Sequence, residues 1–281
     1  MNENYAQLFN EVHIKYEEGN YSQALQGLRE LASEITDPWD KAELLYNEVI
    51  FLVVMQKIPE ARQRVVGLNK AVASLVELPS DGYEYDFRTS LPVMALHAEL
   101  RVATEEGKTL EALQLSDDLV SRYPKQLSIP EFRTVSIEVK ILRGMLLGDA
   151  GRWEEAKTFL ESASPPQSWK GTHTFYLGQC YYELGMYARA KEKLVEAFNF
   201  NLSGSWESQA HYILGLTEYN LSDVQAAKHQ FELCAKCADR KCIDMAKLWA
   251  WLEATSKALG QFDEADNYHK LMIDSMPKKA N

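Results

Sequence analysis

One phrase recurs along this chain: a glycine, an aromatic residue two positions later and an alanine three positions after that. Complete copies begin at Gly19, Gly151, Gly185 and Gly260. A glycine in the left-handed conformation commonly ends a helix, and an alanine lets two helices approach closely. Apolar residues recur at i, i+3, i+4 and i+7 on both sides of each copy, as in amphipathic helices. The phrase therefore predicts a helical hairpin that is repeated along the chain.

Three weaker copies of the phrase surround Ala61, Ala112 and Ala227. Gln56 replaces the turn glycine in the first of them, and Thr109 replaces the aromatic residue in the second. With these copies, the sequence predicts seven helix pairs. The two most divergent copies would also fit degenerate hairpins of another all-helical solenoid, which leaves the fold class unchanged.

The first helix of three pairs carries a glycine where it is expected to cross its partner helix: Gly144, Gly178 and Gly215. Two runs, FYLGQCYY and HYILGLTEY, share Leu-Gly followed by a tyrosine. This pattern resembles the tetratricopeptide repeat, and the spacing from Gly151 to Gly185 is that family's 34 residues. The resemblance extends from about residue 5 to residue 277. It implies an all-α, right-handed superhelical solenoid of antiparallel helix pairs.

The spacing of helix breakers predicts one continuous solenoid domain over residues 1–281. Its repeats are expected at 5–36, 38–76, 91–124, 130–164, 171–202, 206–238 and 243–277. Asp37 is the expected N-cap of the second repeat, with Pro38 at the first helical position. A long helix is expected from about Pro59 to Leu78. An irregular insertion at 77–92, rich in tyrosine and acidic residues, is expected to interrupt the solenoid.

Charge and hydropathy disfavour two classes of partner. The 41 acidic residues outnumber the 30 basic ones, and the net charge of -11 would repel a nucleic-acid backbone. The longest apolar run, VIFLVVM, is far shorter than the roughly 20 residues of a membrane span. The amino-terminal residues show no basic region before an apolar run, so no signal or transit peptide is expected. We expect a soluble, cytoplasmic protein that binds neither nucleic acid nor membranes.

The sequence contains no motif that predicts catalysis. Gly107, Lys108 and Thr109 match the end of a phosphate-binding loop, but Val102 stands where that loop needs a glycine. The six histidines are scattered along the chain, and no acidic pair stands apart from the polar helix faces. We therefore expect no enzymatic activity and no cofactor.

The run FELCAKCADRKC, residues 231–242, holds three of the four cysteines and is a candidate metal site. Cys234 and Cys237 share a helix face, and Cys242 follows after a turn. His211 or His229 could complete a zinc site.

The repeat pattern favours packing roles for these cysteines instead. Cys234 falls at a small packing position of the second helix, as Ala163 and Ala197 do in the two preceding repeats. Cys237 lies near the end of that helix, where the helix dipole raises a thiol pKa and disfavours redox chemistry. We therefore expect reduced thiols and no metal.

Stacked repeats bind their partners mainly through a concave face lined by the first helix of each pair. The family resemblance implies that this face includes Phe175, Tyr176, Gln179 and Tyr182 in the fifth repeat, Tyr212, Leu216 and Tyr219 in the sixth, and Ala250, Trp251 and Ala254 in the seventh. About half of the rings are expected to pack between adjacent repeats. The rest would form an aromatic, nearly uncharged groove.

The carboxylate clamp of this family, which holds acidic chaperone tails, needs lysine or arginine and asparagine on several repeats. Its first lysine position holds no cation in any of the seven repeats, and Asn47 is the only matching asparagine. A chaperone-tail partner is therefore disfavoured. An apolar or aromatic protein segment in the groove is the better prediction.

Three functions remain open from the sequence. The first is a non-catalytic scaffold or adaptor that binds a protein segment in its groove. The second is a regulatory subunit that docks on an effector enzyme, with the 77–92 segment as one contact. The third is a helical-repeat RNA binder, which the composition disfavours. Self-association through the C-terminal helix is a further expectation, based on the apolar residues Leu271, Met272, Ile273 and Met276.

Overall fold

The computed structural model describes residues 3–76, 85–200, 202, 205–237 and 243–276. Within these ranges the chain forms fourteen α-helices and no strand, with three single 3-10 turns at 126–128, 130–132 and 167–169. The helices are α1 Glu3–Glu17, α2 Tyr21–Glu34, α3 Pro38–Val54, α4 Ile58–Val76, α5 Tyr85–Glu105, α6 Thr109–Arg122, α7 Arg133–Asp149, α8 Trp153–Glu161, α9 Lys170–Glu183, α10 Tyr187–Phe198, α11 Ser205–Asn220, α12 Val224–Lys236, α13 Met245–Ala258 and α14 Phe262–Ser275. They follow one another as seven helical hairpins, which confirms the predicted all-α class.

The chain divides into two compact units, residues 1–142 and 143–281, with the boundary inside α7. The first unit contains α1 to α6 and the start of α7, and the second contains the end of α7 and α8 to α14. None of the helices in the described ranges is long and apolar enough to cross a membrane.

All seven hairpins turn in the same way. The turn residue has a positive φ in each, and it is a glycine in five hairpins, Gln56 (φ 57°) in the second and Ser222 (φ 66°) in the sixth. The residue that follows it donates its N–H to the carbonyl five positions earlier, as Lys57 does to Leu52 at 2.9 Å. This is the Schellman arrangement, which satisfies the carbonyls at a helix end. The divergent second, third and sixth copies are therefore true hairpins. In the second and sixth, Gln56 and Ser222 adopt the left-handed backbone despite the roughly 1–2 kcal/mol that it costs a residue with a side chain.

The paired helices of the second unit cross where the sequence predicts. A Cβ added to Gly144 or Gly178 would lie 2.6 Å or 2.8 Å from Cγ of Leu160 or Leu194 respectively. A Cβ added to Gly215 would lie 2.6 Å from the ring of Phe231, which is fully buried. These three glycines therefore set the distance between the helices of their hairpins.

The core of the first unit is built from large aromatic and aliphatic side chains. Phe51 of α3 is buried and stacks on Tyr16 of α1, with ring centroids 4.4 Å apart. Leu28 of α2 and Leu68 of α4 are also buried in this core. Asp37 caps α3 as predicted, since its side chain accepts hydrogen bonds from the backbone N–H groups of Trp39 and Asp40.

The predicted insertion at 77–92 differs from the structure in its second half. Helix α5 begins at Tyr85, so 85–92 is helical, whereas 77–84 lies outside the described residues. Pro92 lies inside this helix, although proline lacks one helical N–H. Its neighbours Leu91 and Val93 are fully buried, and this packing keeps the helix continuous across the proline.

Ion pairs join successive hairpins through a position that the repeat pattern did not single out. In three repeats the residue after the hairpin alanine is a cation that reaches the next hairpin. Arg62 binds Glu106 at 2.5 Å, Lys191 binds Glu218 at 3.0 Å, and Lys228 forms a close pair with Glu264. Glu218 and Lys228 are buried, so these pairs contribute specificity to the stacking within each unit.

The crossing at Gly215 provides a direct test of this packing. Replacing Gly215 with Ala should lower the free energy of unfolding by about 1–3 kcal/mol, because the buried ring of Phe231 cannot move aside. Gly67, in the middle of α4, has no atom within 4 Å of its added Cβ. Gly67→Ala should therefore leave stability unchanged or raise it by up to about 1 kcal/mol through helix propensity. Urea denaturation followed by circular dichroism compares the two, and equal stability would contradict the packing model.

Candidate functional site

Five partly exposed side chains of the second unit form what we call the aromatic cluster: Tyr182, Tyr212, Leu216, Tyr219 and Trp251. The rings of Tyr219 and Trp251 meet edge to face, with centroids 5.0 Å apart. Tyr212 and Trp251 both contact the ring of Phe231, each with centroids 5.9 Å from it, and Tyr212 lies close enough to Tyr182 to influence its pKa. The cluster therefore extends over three successive first helices, α9, α11 and α13.

The local sequence explains why these side chains share a face. Tyr212, Leu216 and Tyr219 recur at i, i+4 and i+7 along α11, which places them on one stripe of that helix. The buried ring of Phe231, from α12, lies behind them and stacks on Trp251 with centroids 5.9 Å apart. The rings are thus held by the core at one edge and reach solvent at the other.

The ionisation state of the cluster follows from its partial burial. Burial raises the pKa of Tyr182 and of Tyr212 above the ordinary tyrosine value. Their hydroxyls therefore stay neutral at physiological pH and can both donate and accept hydrogen bonds. The cluster offers apolar ring surface with neutral polar edges, which suits an apolar segment with a few polar groups.

Two of the predicted surface residues lie in the interior instead. Phe175 is fully buried and Tyr176 is 5% exposed. Both rings pack against Trp206 at the start of α11, with centroids 5.8 Å and 5.4 Å away. Trp206 belongs to the next hairpin. The sequence of the fifth repeat alone therefore could not show that this ring covers Phe175 and Tyr176. Gln179, one turn further on, is half-buried.

The corresponding helices of the first unit carry a polar cluster that the sequence reading missed. The side chains of His97 and Arg101 lie one turn apart on α5, and both approach Glu138 of α7. Glu138 Oε2 is 3.1 Å from His97 Nε2 and 3.0 Å from Arg101 Nη1. On its other side, His97 Nδ1 is 3.0 Å from the Tyr46 hydroxyl. The i, i+4 spacing of His97 and Arg101 indicates that they share a helix face. It does not indicate their partner, because Glu138 lies 37 residues after Arg101 in the sequence.

Opposing effects determine the charge of Glu138. Burial alone would raise the pKa of its carboxyl, but the nearby side chains of His97 and Arg101 outweigh burial and lower the pKa to about 2. The carboxylate is therefore ionised at any physiological pH. The cluster joins α3, α5 and α7, and it acts as a buried ionic contact within the first unit.

Two of the described cysteines, Cys180 and Cys234, are packing residues, and the third, Cys237, has polar neighbours. Cys180 and Cys234 are fully buried, and burial raises the pKa of the Cys180 thiol to about 12. Cys234 packs in a core cluster with Phe231 and Leu252, which confirms its predicted packing role. Cys237 is the C-cap of α12, and Cys242 lies outside the described residues.

One group of potential metal ligands occurs among the described residues. A ligand atom of each of Glu207, His211 and Cys237 lies within 4.8 Å of the other two. His229, the other histidine considered from the sequence, is exposed and lies outside this group.

Apolar residues at the end of α14 and at its C-cap, Met276, are exposed. Leu271, Ile273 and Met276 are 42%, 53% and 48% exposed, and Ala265 is the only residue that is buried among those described in this helix. Self-association through this helix stays a prediction.

Comparison with known proteins identifies the repeat type. A family model for the tetratricopeptide repeat matches residues 175–196, the hairpin of α9 and α10. No sequence among the curated proteins matches this chain.

Solved structures show the same fold at low sequence identity. PilF of Pseudomonas aeruginosa is 15% identical, with a TM-score of 0.60 over 86% of this chain and 96% of PilF. The apo form of RapI is 14% identical, with a TM-score of 0.56 over 97% of each chain. A tetratricopeptide repeat protein from Parabacteroides merdae is 14% identical, with a TM-score of 0.50 over 98% of this chain and 94% of that protein.

The helical hairpins, with their left-handed turns and small crossing residues, define a helical solenoid. The match at 175–196 identifies the hairpin of α9 and α10 as a tetratricopeptide repeat, and the solved structures show the same fold over most of the chain.

The largely buried carboxylate of Glu138, whose side chain is 15% exposed, predicts a specific dependence of stability on pH. A carboxyl with a lowered pKa in the folded state stabilises fully above its unfolded value, 4.5, and this contribution is lost as the pH falls from there to about 2. The loss should be on the order of 3 kcal/mol in the wild type. Glu138→Gln should be less stable at pH 7, because His97 and Arg101 lose the charge that faces them, and it should lack this acid dependence.

Urea denaturation at several pH values between 2 and 7 measures the effect. Glu154→Gln is the control, since Glu154 lies on the solvent-exposed side of α8 and its side chain is 70% exposed. The control should keep the wild-type dependence. An acid dependence in Glu138→Gln equal to that of the wild type would contradict the assignment.

Proposed function

We propose that the protein is a non-catalytic interaction module that binds an apolar or aromatic protein segment across the aromatic cluster. The observation that carries this proposal is the continuity of the cluster. Tyr182, Tyr212, Tyr219 and Trp251 come from three successive hairpins, and each keeps part of its ring exposed. Repeat proteins of this architecture generally use such faces to bind extended or helical segments.

The chemistry of the cluster indicates what the segment should contain. Tyrosine and tryptophan dominate binding energy at protein interfaces, because large rigid rings bury much surface at little entropic cost. Tyr219 is 38% exposed, so its ring has contact area still to bury. The neutral hydroxyls favour a ligand with apolar or aromatic side chains and a few backbone or side-chain hydrogen-bonding groups.

Other functions have less support in the described residues. The buried rings of Phe175 and Tyr176 take no part in the proposed surface, which moves it towards the sixth and seventh repeats. A regulatory subunit that docks on an effector enzyme would use this same surface or the 77–92 segment, of which 77–84 lies outside the described residues. RNA binding is disfavoured by the net charge of -11.

Selection from a displayed library of random short peptides tests the proposal without knowledge of the natural partner. The wild-type protein should enrich peptides that contain aromatic or large apolar residues. Tyr219→Ala should weaken the binding of these peptides about tenfold or more, a typical effect for an exposed aromatic anchor. Trp251→Ala should weaken binding further, and circular dichroism must show that the variant stays folded, because Trp251 also packs on Phe231.

Phe262→Ala is the matched control. Phe262 is a large aromatic residue of the same unit, 66% exposed, on α14 and outside the cluster. This variant should bind the selected peptides as the wild type does. A library that yields no enriched aromatic peptides, or peptides that bind Tyr219→Ala at full strength, would count against the aromatic cluster as the binding surface.

A further inference from the structure

Glu207, His211 and Cys237 bring together three kinds of metal-binding atom. Glu207 and His211 lie one turn apart on α11, at the i, i+4 spacing that places two side chains on one face. Cys237 is the C-cap of α12, the helix that runs antiparallel to α11. A carboxylate oxygen, an imidazole nitrogen and the Cys237 Sγ lie within 4.8 Å of one another. Two helices of one hairpin thus supply all three side chains.

We propose that these three residues bind a Zn²⁺ ion at the open end of the sixth hairpin. Thiolate, imidazole and carboxylate are the ligands that zinc accepts in proteins, and zinc sites with three protein ligands leave a fourth position for water or an outside ligand. In a tetrahedral site with bonds of about 2.0–2.3 Å, the ligand atoms are roughly 3.5 Å apart. The ligand atoms therefore need to move by about 1 Å, which the exposed side chain of Glu207 allows.

The surroundings of His211 orient it as a metal ligand. Its Nδ1 lies 2.8 Å from Oε1 of Gln230 on α12, and an amide oxygen accepts, so Nδ1 carries the proton and Nε2 the lone pair. The ring also stacks on Phe198, with centroids 4.4 Å apart. An outer hydrogen bond of this kind fixes the tautomer and orientation of histidines that bind metals.

The position of Cys237 suits a bound cation better than a redox thiol. The end of a helix carries roughly half a negative charge, which disfavours a thiolate on its own. A Zn²⁺ ion about 2.3 Å from Sγ carries two positive charges, which outweigh that effect and remove the thiol proton. Binding therefore releases one proton to solvent and replaces the contact between Sγ and the carbonyl of Leu233, now 3.4 Å long.

Zinc binding should link the two helices of the hairpin at the end opposite the turn. The turn at Ser222 already joins α11 and α12 at one end. The zinc ion would join the first two turns of α11 to the C-cap of α12 at the other end. The bound metal should raise stability according to its concentration relative to the dissociation constant.

Metal analysis of purified, untagged protein tests this proposal independently of peptide binding. Reduced, metal-free wild-type protein, given one equivalent of ZnCl₂ and desalted, should retain about one zinc per chain and unfold at a higher temperature. Co²⁺ in place of zinc should give the thiolate-to-metal absorption of a sulfur ligand. Zinc retention should be lost in His211→Gln and Cys237→Ser. Gln230→Ala should weaken zinc binding about 10–100-fold, the usual effect of removing an outer hydrogen bond.

Two control variants keep the result specific. His229→Gln removes a nearby exposed histidine of α12, and Cys234→Ala removes a buried thiol outside the group, so both should retain zinc. Circular dichroism of the metal-free variants checks that each is folded. A wild-type protein that retains no zinc would overturn the proposal. So would loss of zinc in Cys234→Ala together with its retention in His211→Gln, because the metal would then belong to the cysteines alone.

Discussion

The close approach of two helices inside each hairpin is the constraint on which the rest of this structure depends. In the second unit, Gly144, Gly178 and Gly215 leave no room for a methyl group against the side chains of the partner helix. The ring of Phe231 fills the space beside Gly215 and is fully buried. The same ring supports Tyr212 and Trp251 from behind. The spacing of the helices therefore also determines where the exposed aromatic rings lie.

Two further devices build the stack from these hairpins. Left-handed turn residues reverse the chain in the same way seven times, even where glutamine or serine stands in place of glycine. Cations on the second helix, at Arg62, Lys191 and Lys228, then bind acids of the following hairpin. Because such pairs need a specific geometry, they favour one stacking arrangement over others.

The first helices of the hairpins carry different kinds of side chain in the two units, each taken by itself. In the first unit, the first helices contribute the buried ionic contact of His97, Arg101 and Glu138. In the second unit they contribute partly exposed rings. Ion pairs buried in this way stabilise and position helices, whereas exposed rings retain surface that a ligand can still cover. This contrast is why the interaction surface is proposed on the second unit.

The sequence by itself determined the hairpins, their seven turns, the crossing glycines and the packing role of Cys234, because each depends on residues a few positions apart. Only the tertiary structure decided that Trp206 covers Phe175 and Tyr176, that α5 continues through Pro92, and that Glu138 meets His97. It also decided that Glu207, His211 and Cys237 converge, since the ligands lie on different helices. These features depend on contacts between side chains that are far apart in the sequence. A local repeat pattern does not show which side chains such contacts bury.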